Sequence, residues 1–197
     1  MYFRIPSLRL RVHLLALPTL FALYWVEGVL PATILLFSGL LHETGHLLAL
    51  RFLKVPVRRI DAEPMGVTIC YRETDCTQRA SALIAFAGPG CNLLCGSLIA
   101  AFLPLVPNDF EMEVAFFTFC NLFLAFLNLL PLERLDGGAI LHALLSLRFS
   151  AETAYRVSHA VSVCFTLLLT LTIILLGVAL RFPLWTVLLS AVFLSRM

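Results

Sequence analysis

Two histidines and a glutamate stand at a spacing that suits metal-assisted hydrolysis. The segment His42-Glu43-Thr44-Gly45-His46 has the pattern HExxH. On a helix, residues four apart share a face, so both imidazoles can reach one zinc ion. The intervening glutamate then lies beside the metal, where it can act as general base on a water molecule. The pattern predicts a zinc site with Glu43 as its catalytic base.

The surroundings of this segment strengthen the prediction. Apolar residues flank it on both sides, at 34–37 and at 47–50, within a long hydrophobic stretch. An acidic side chain at the middle of a membrane helix costs about 2.5–3.5 kcal/mol on insertion scales, so its presence there favours a function. The alternative is a structural cluster in which the three polar residues satisfy one another.

A third metal ligand is required, because catalytic zinc sites typically have three protein ligands and one open position. Asp136 follows an apolar segment whose end lies on the same predicted side of the membrane as Glu43. His142, six residues farther along the chain, is the rival ligand. Position along the chain favours Asp136 and leaves His142 open.

The elements that must position these residues are membrane helices. Of the 197 residues, 60% are hydrophobic and 13% are charged, whereas a soluble domain has about 25% charged residues. Six hydrophobic segments can be marked, at 12–29, 31–53, 80–105, 113–132, 155–179 and 182–195. Backbone polar groups in lipid must be satisfied within the segment, so we expect helices. The sequence predicts an all-α polytopic membrane protein with one domain over residues 1–197.

The ends of the first and second segments carry further expectations. The first resembles a secretory signal peptide, but Trp25 and Glu27 stand where a cleavage site would be needed, so we expect a retained helix. Glu27-Gly28 and Pro31 join it to the second segment, which predicts a tight helical hairpin. Residues 57–72 contain two β-prone runs around a Pro/Gly turn, and we expect either a β-hairpin or an ordinary loop there.

Basic residues indicate the orientation in the bilayer. With the N-terminus in the cytoplasm, 13 of the 14 Lys and Arg residues fall on the cytoplasmic side and only Arg181 falls outside. The sequence therefore predicts cytoplasmic termini and a site toward the cytoplasmic side, in what we expect to be a bacterial cytoplasmic membrane. The lipid bilayer is a predicted partner and nucleic acid is not. Six cysteines without CxxC pairs predict core packing and no disulfide framework.

Three sequence elements together resemble one protein family. The HExxH segment and the run Asn128-Leu-Leu-Pro131-Leu-Glu-Arg-Leu-Asp136-Gly137 look like the paired HExxH and NxxPxxxLDG motifs of the site-2 protease family. The segment Gly88-Pro89-Gly-Cys-Asn92 resembles the GPxxN element of the same family. These elements occur in the family's order and cover residues 35–140.

The resemblance implies a role for each matching residue. One zinc ion per chain would be bound by His42, His46 and Asp136, and Glu43 would activate water. Asn128 and Asn92 would polarise or position the scissile carbonyl. The Gly-Pro pair would loosen the third helix. The hairpin at 57–72 would pair with an unwound substrate by strand addition.

The implied activity is that of an intramembrane zinc metalloendopeptidase. It would cut a peptide bond in or near the transmembrane segment of a membrane-anchored protein, such as a tethered transcription factor, an anti-sigma factor, a sigma-factor precursor or a signal-peptide remnant. A membrane-protein inhibitor or regulator is a further expected partner. Without a PDZ-like insertion or a C-terminal regulatory domain, the chain is most similar to compact six-helix members such as the sporulation sigma-factor-processing proteases.

Two other functions are compatible with a membrane zinc site. A catalytically silent adaptor would have lost Glu43 or a ligand, whereas all four residues are in place. A metal transporter would show several acidic or histidine sites along a path, often with internal repeats. This sequence has one cluster and no repeat, so it favours the protease.

Overall fold

The computed structural model describes residues 2–5, 10–63, 66–72 and 76–180. Within them the backbone forms six α-helices and four β-strands. The helices are α1 (Ala16–Glu27), α2 (Val29–Phe52), α3 (Gln78–Phe102), α4 (Glu111–Asn128), α5 (Asp136–Ser146) and α6 (Ala151–Ala179). The strands are β1 (Tyr2–Ile5), β2 (Leu10–His13), β3 (Val57–Glu63) and β4 (Gly66–Tyr71).

Four of the helices are long and apolar enough to cross a membrane. They correspond to Val29–Phe52, Gln78–Leu105, Asn108–Asn128 and Ala151–Gly177, which agrees with the second to fifth predicted segments. The first predicted segment, 12–29, differs: its start joins strand β2, and α1 has only 12 residues. At 1.5 Å per residue α1 is about 18 Å long, against a hydrocarbon core of about 30 Å. The sixth predicted segment, 182–195, lies outside the described residues.

The predicted turn between the first two helices is confirmed. Gly28 alone separates α1 from α2, and its φ of 83° lies in the region that favours glycine. Its backbone N–H donates to the carbonyl of Tyr24, which closes the end of α1. The reversal therefore needs one residue, and that residue is glycine.

A four-stranded sheet accompanies the helices, with the order β1-β2-β3-β4. Strands β3 and β4 pair antiparallel, with Ile60 opposite Ile69, so the hairpin expected within 57–72 is present. Strand β2 pairs parallel to β3, with Leu10 opposite Ile60. The sequence did not predict β1 or β2, because the partner of β2 lies about 50 residues away along the chain.

A small apolar core attaches this sheet to the ends of two helices. Leu50 of α2, Val55 and Ile84 of α3 are buried together, and apolar side chains of both hairpin strands pack against them, among them Val57, Ile69 and Tyr71. The core fixes the C-terminal end of α2 against the N-terminal half of α3. These are the stretches that carry the HExxH segment and its neighbours.

The chain divides into two compact units, Met1–Asn128 and Leu129–Met197. In the described part of the chain, the first holds the sheet and α1 to α4, and the second holds α5 and α6. Helix α5 was not predicted, because its 11 residues are too few to register as a span. The expectation of a single domain over 1–197 stays a prediction.

Candidate metal centre

Helix α2 presents two imidazoles to the same point. His42 and His46 lie one turn apart, with ring centroids separated by 4.8 Å and Nε2 atoms by 3.1 Å. His42 is 7% exposed and His46 is half-buried. The i, i+4 spacing of the sequence therefore does bring the two rings together.

The tautomer of His42 is fixed by its neighbour Asn92 on α3. The Nδ1 of His42 lies 2.8 Å from Oδ1 of Asn92. The amide nitrogen of Asn92 donates to the carbonyl of Ser38 and to Oδ1 of Asn121, so the amide cannot be turned round. Since Asn92 offers His42 only an acceptor, Nδ1 must carry the proton and Nε2 a lone pair.

These contacts give Asn92 a role that differs from the expected one. Its side chain is 0% exposed, and both amide hydrogens are used inside the protein. No donor of Asn92 remains for a substrate carbonyl, so the geometry favours positioning of His42 over contact with substrate. Metal-binding histidines usually donate their second ring N–H in this manner.

His46 is held in the matching tautomer by a backbone group. Its Nδ1 lies 2.7 Å from the carbonyl oxygen of Ile84, an atom that can only accept. Both Nε2 atoms therefore direct lone pairs toward each other across 3.1 Å. Two lone pairs at this distance repel each other unless a cation lies between them. Tetrahedral zinc, with Zn–N distances of about 2.0–2.1 Å, would hold its nitrogen ligands about 3.3 Å apart, so the pair fits zinc.

One face of α3 accommodates both rings. Ile84, Gly88 and Asn92 follow one another at four-residue spacing along it, and each is buried. A β-carbon at Gly88 would come within 2.2 Å of Nε2 of His46, and one at Gly45 would lie 2.3 Å from the carbonyl oxygen of Ala87. Both glycines thus make room, Gly88 for a ring and Gly45 for a neighbouring backbone.

The Gly-Pro pair was expected to loosen the third helix, and the observed role is different. Helix α3 continues from Gln78 to Phe102 with Pro89 inside it, and Gly88 supplies the space that His46 occupies. Sequence reasoning also missed Ser38 and Asn121. Their only signal is that each is a polar residue inside an apolar helix.

Glu43 and Asn128 are both half-buried. Glu43 follows His42 directly on α2. Asn128 is the last residue of α4, and one of its amide hydrogens is donated to the carbonyl of Leu124, 3.0 Å away. The role of Asn128 toward a substrate carbonyl stays a prediction.

Asp136 begins α5 in the second unit and is half-buried. A carboxylate in the first turn of a helix is favoured by the helix dipole. The two glycines that follow pack closely against the preceding loop: a β-carbon at Gly137 would lie 2.3 Å from the carbonyl oxygen of Leu129, and one at Gly138 would lie 2.2 Å from that of Leu132. The loop that leads into Asp136 is therefore folded tightly onto the start of α5.

The rival ligand His142 lies on the same helix but points elsewhere. Six residues correspond to 600° of helical rotation, so its side chain is about 120° away from that of Asp136 around α5. Its Nδ1 is 3.4 Å from Oγ of Ser158 on α6. Within the second unit, His142 is thus turned away from Asp136 and toward α6.

Several known proteins are similar to this chain. The sequence profile of peptidase family M50 matches residues 104–171, a stretch that contains Asn128 and Asp136. Stage IV sporulation protein FB of Bacillus subtilis is 32% identical over 139 residues, which cover 68% of this chain and 47% of that protein. The chain belongs to the site-2 protease family.

Further relatives of this site-2 protease family member extend the match. Rip3 of Mycobacterium tuberculosis, named as a candidate zinc metalloprotease, is 32% identical over 127 residues, covering 62% of this chain and 32% of Rip3. The chain thus spans less than half the length of either curated relative. The solved site-2 protease of Methanocaldococcus jannaschii shares the fold, with a TM-score of 0.67, 20% identity and coverage of 98% of this chain and 91% of that one. Family and apolar helices together make the chain an integral membrane protein.

Proposed function

We propose that this chain is an intramembrane zinc metalloendopeptidase that hydrolyses a peptide bond in or near the transmembrane segment of a membrane-anchored protein. The observation that carries the proposal is the approach of Nε2 of His42 to Nε2 of His46, 3.1 Å apart. Each ring is held by a hydrogen bond from Nδ1, so neither can relieve the approach by changing tautomer. Two such nitrogens beside a glutamate make a site for a hydrolytic metal.

Asp136 is proposed as the third zinc ligand. Its support is the match of the run from Asn128 to Gly137 to the family motif, together with its position at the start of α5. His42, His46 and Asp136 would supply two imidazole nitrogens and one carboxylate oxygen, which is a typical donor set for catalytic zinc. The bound ion supplies Lewis acidity: it brings the pKa of water toward about 7 and polarises a carbonyl.

Glu43 moves the protons of the reaction. Its carboxylate takes a proton from the attacking water and returns it to the nitrogen of the leaving amine. Asn128 directs its second amide hydrogen at the oxygen of the scissile carbonyl, where negative charge develops. Asn92 takes no part in substrate binding, because its donors are occupied within the protein.

The substrate must unwind before its peptide bond can be attacked, because a helix shields its own carbonyl groups. Strand β4 lies at one edge of the sheet, with β3 on its other side. An extended segment of the substrate would pair with that edge, and main-chain hydrogen bonds would give affinity without demanding one side-chain sequence. The chemical class of the substrate is therefore an apolar transmembrane segment that readily leaves the helical state.

Basic residues support a cytoplasmic location for the sheet and for the site. Arg51, Lys54, Arg58, Arg59 and Arg79 are all exposed around the sheet and the adjoining helix ends. This distribution is expected of the cytoplasmic side of a bilayer. The bacterial cytoplasmic membrane, with both termini inside, is the proposed location.

Metal content tests the proposal without knowledge of the substrate. The full chain would be purified in detergent after growth with zinc, and its bound metal compared with that of His46→Ala, Asp136→Ala and the matched control His142→Ala. We expect about one zinc per chain in the wild type and in the control, and a sharp reduction in the other two. Full zinc in Asp136→Ala together with loss in His142→Ala would move the third ligand to His142. A wild type without zinc would overturn the proposed function.

A further inference from the structure

A hydrogen-bonded network of three buried polar side chains lies behind His42, across helices α2, α3 and α4. It consists of Ser38, Asn92 and Asn121, with Ser38 2% exposed and both asparagines 0% exposed. Neither Ser38 nor Asn121 belongs to the motifs from which the site was predicted. Burying two amides and a hydroxyl in an apolar bundle is costly unless each is satisfied, so the arrangement requires a reason.

In this network, the hydrogen bonds of each amide fix which of its ends donates and which accepts. Asn121 donates to the carbonyl of Phe117, 2.9 Å away, and to Oγ of Ser38, 3.0 Å away. The carbonyl of Phe117 can only accept, so the nitrogen of Asn121 must face it and the oxygen must face Asn92. The orientation of Asn121 is therefore set by the backbone of its own helix.

The orientation of the Asn121 amide fixes the orientation of Asn92 and, through it, the tautomer of His42. Asn92 donates to Oδ1 of Asn121 at 2.8 Å and to the carbonyl of Ser38 at 2.9 Å, so its oxygen is left to face Nδ1 of His42. If Asn121 were reversed, two amide NH₂ groups would oppose each other. A donor on α4 thus decides which nitrogen of His42 keeps its proton.

We infer that Asn121, braced by Ser38, is a positioning residue for zinc: it acts through Asn92 to hold His42 in the Nδ1–H tautomer, which places the lone pair for the metal on Nε2. Asn121 does not touch the metal or the substrate. The inference rests on the proposed zinc site and adds to it a residue on α4 that the family motifs do not contain. Outer partners of metal-bound histidines typically change metal affinity by about 10–100-fold when they are removed.

Asn121→Leu tests the inference, because leucine keeps a similar volume and offers Asn92 no acceptor. Thr118→Val is the matched control: Thr118 is buried on the same helix, and its hydroxyl donates only to the carbonyl of Val114 in its own helix. The readout is the zinc dissociation constant of the full chain in detergent, measured by competition with a chelator, with thermal unfolding of the zinc-free protein in parallel.

We expect Asn121→Leu to weaken zinc binding by about 10–100-fold, while Thr118→Val stays within about two-fold of the wild type. A merely structural role would lower the unfolding temperature of Asn121→Leu and leave the zinc dissociation constant unchanged, and that result would overturn the inference. If Asn121→Leu shows no cooperative unfolding, Ser38→Ala replaces it as the test of the inference. It removes one acceptor of Asn121 and keeps the Ser38 carbonyl, and zinc binding at wild-type strength would overturn the inference.

The same measurement separates this inference from the proposed function. A wild-type chain that binds no zinc would overturn both. A wild-type chain that binds zinc, beside an Asn121→Leu variant that binds it equally well, would overturn only the role of Asn121. Nitrogen NMR of the zinc-free protein adds an independent readout, because the inference predicts the Nδ1–H tautomer of His42 in the wild type and a mixture of tautomers in Asn121→Leu.

Discussion

Gly88 on α3 and His46 on α2 are so close that a β-carbon at position 88 would lie 2.2 Å from Nε2 of the imidazole. The ring cannot move aside freely, because its Nδ1 is hydrogen-bonded to the carbonyl of Ile84. The glycine of the Gly-Pro pair is therefore part of the wall of the candidate metal centre.

Gly88→Ala should displace the His46 ring and weaken zinc binding by about 5- to 150-fold, since forcing an extra methyl into a packed site costs typically about 1–3 kcal/mol. Chelator competition measures the effect. Gly90→Ala is the control on the same helix, because its β-carbon would meet only the exposed ring of Phe86, at 3.2 Å. Equal zinc affinity in the two variants would contradict the assigned role of Gly88.

Glu43→Gln should keep zinc and lose cleavage. The amide cannot accept a proton from water, and a general base typically contributes about 10²–10⁴-fold to the rate. The measurement is turnover of a membrane-anchored test substrate alongside the metal content of each preparation. Thr44→Val serves as control, because Thr44 is exposed and its hydroxyl donates to Leu40 in its own helix. Wild-type turnover in Glu43→Gln would remove Glu43 from the mechanism.

Gly45→Ala should destabilise the contact between α2 and α3. Its β-carbon would lie 2.3 Å from a backbone oxygen of Ala87, which cannot rotate away as a side-chain end can. We expect a loss of about 1–3 kcal/mol in the free energy of unfolding. Gly39→Ala, six residues earlier on α2, has no atom within 4 Å of its β-carbon, and we expect it to be neutral or stabilising by up to about 1 kcal/mol. Denaturant titration in mild detergent would measure the free energy of unfolding of both variants. An equal loss in Gly45→Ala and Gly39→Ala would refute the packing account.

Ser162→Ala should loosen the loop that leads to Asp136. Oγ of Ser162 accepts the backbone N–H of Glu133 at 2.9 Å, and Ser162 is 7% exposed. Without this acceptor a part-buried hydrogen bond is lost, which typically costs about 0.5–1.5 kcal/mol. Zinc affinity should fall together with stability. Thr166→Val, one turn along α6, is the control because its hydroxyl donates only within the helix. A Ser162→Ala variant as stable as this control would show that the loop does not depend on the bond.

The helical spans and the HExxH pair were predictable because both depend on short-range patterns. The apolar run of α2 and the i, i+4 spacing of His42 and His46 can be read directly from neighbouring residues. The parallel pairing of β2 with β3 was not predictable, since it joins Leu10 to Ile60 and neither strand is long. Helix α5 was missed because 11 residues leave too weak a periodic signal.

The hydrogen-bond partners behind the candidate metal centre were less predictable than its proposed ligands. Asn92 was identified from its motif, but its contacts with Ser38 and Asn121 depend on how three helices pack. Nothing in the sequence alone distinguishes a buried asparagine that binds substrate from one that orients a histidine. Gly88 presents the same difficulty. Glycine before proline indicates a local backbone effect, whereas in the structure the absence of a side chain at Gly88 makes room for the ring of His46.

The parallel pairing of β2 with β3 has a topological consequence. Strand β2 immediately precedes α1 and strand β3 follows α2, and hydrogen-bonded neighbours cannot lie on opposite sides of a bilayer. The chain between them, including α1 and α2, must therefore make an even number of membrane crossings, whatever the balance of charges. Replacing Arg11 could not reverse only one of these two helices without breaking the pairing of β2 with β3. The pairing of β2 with β3 therefore holds both ends of the α1–α2 pair in one compartment.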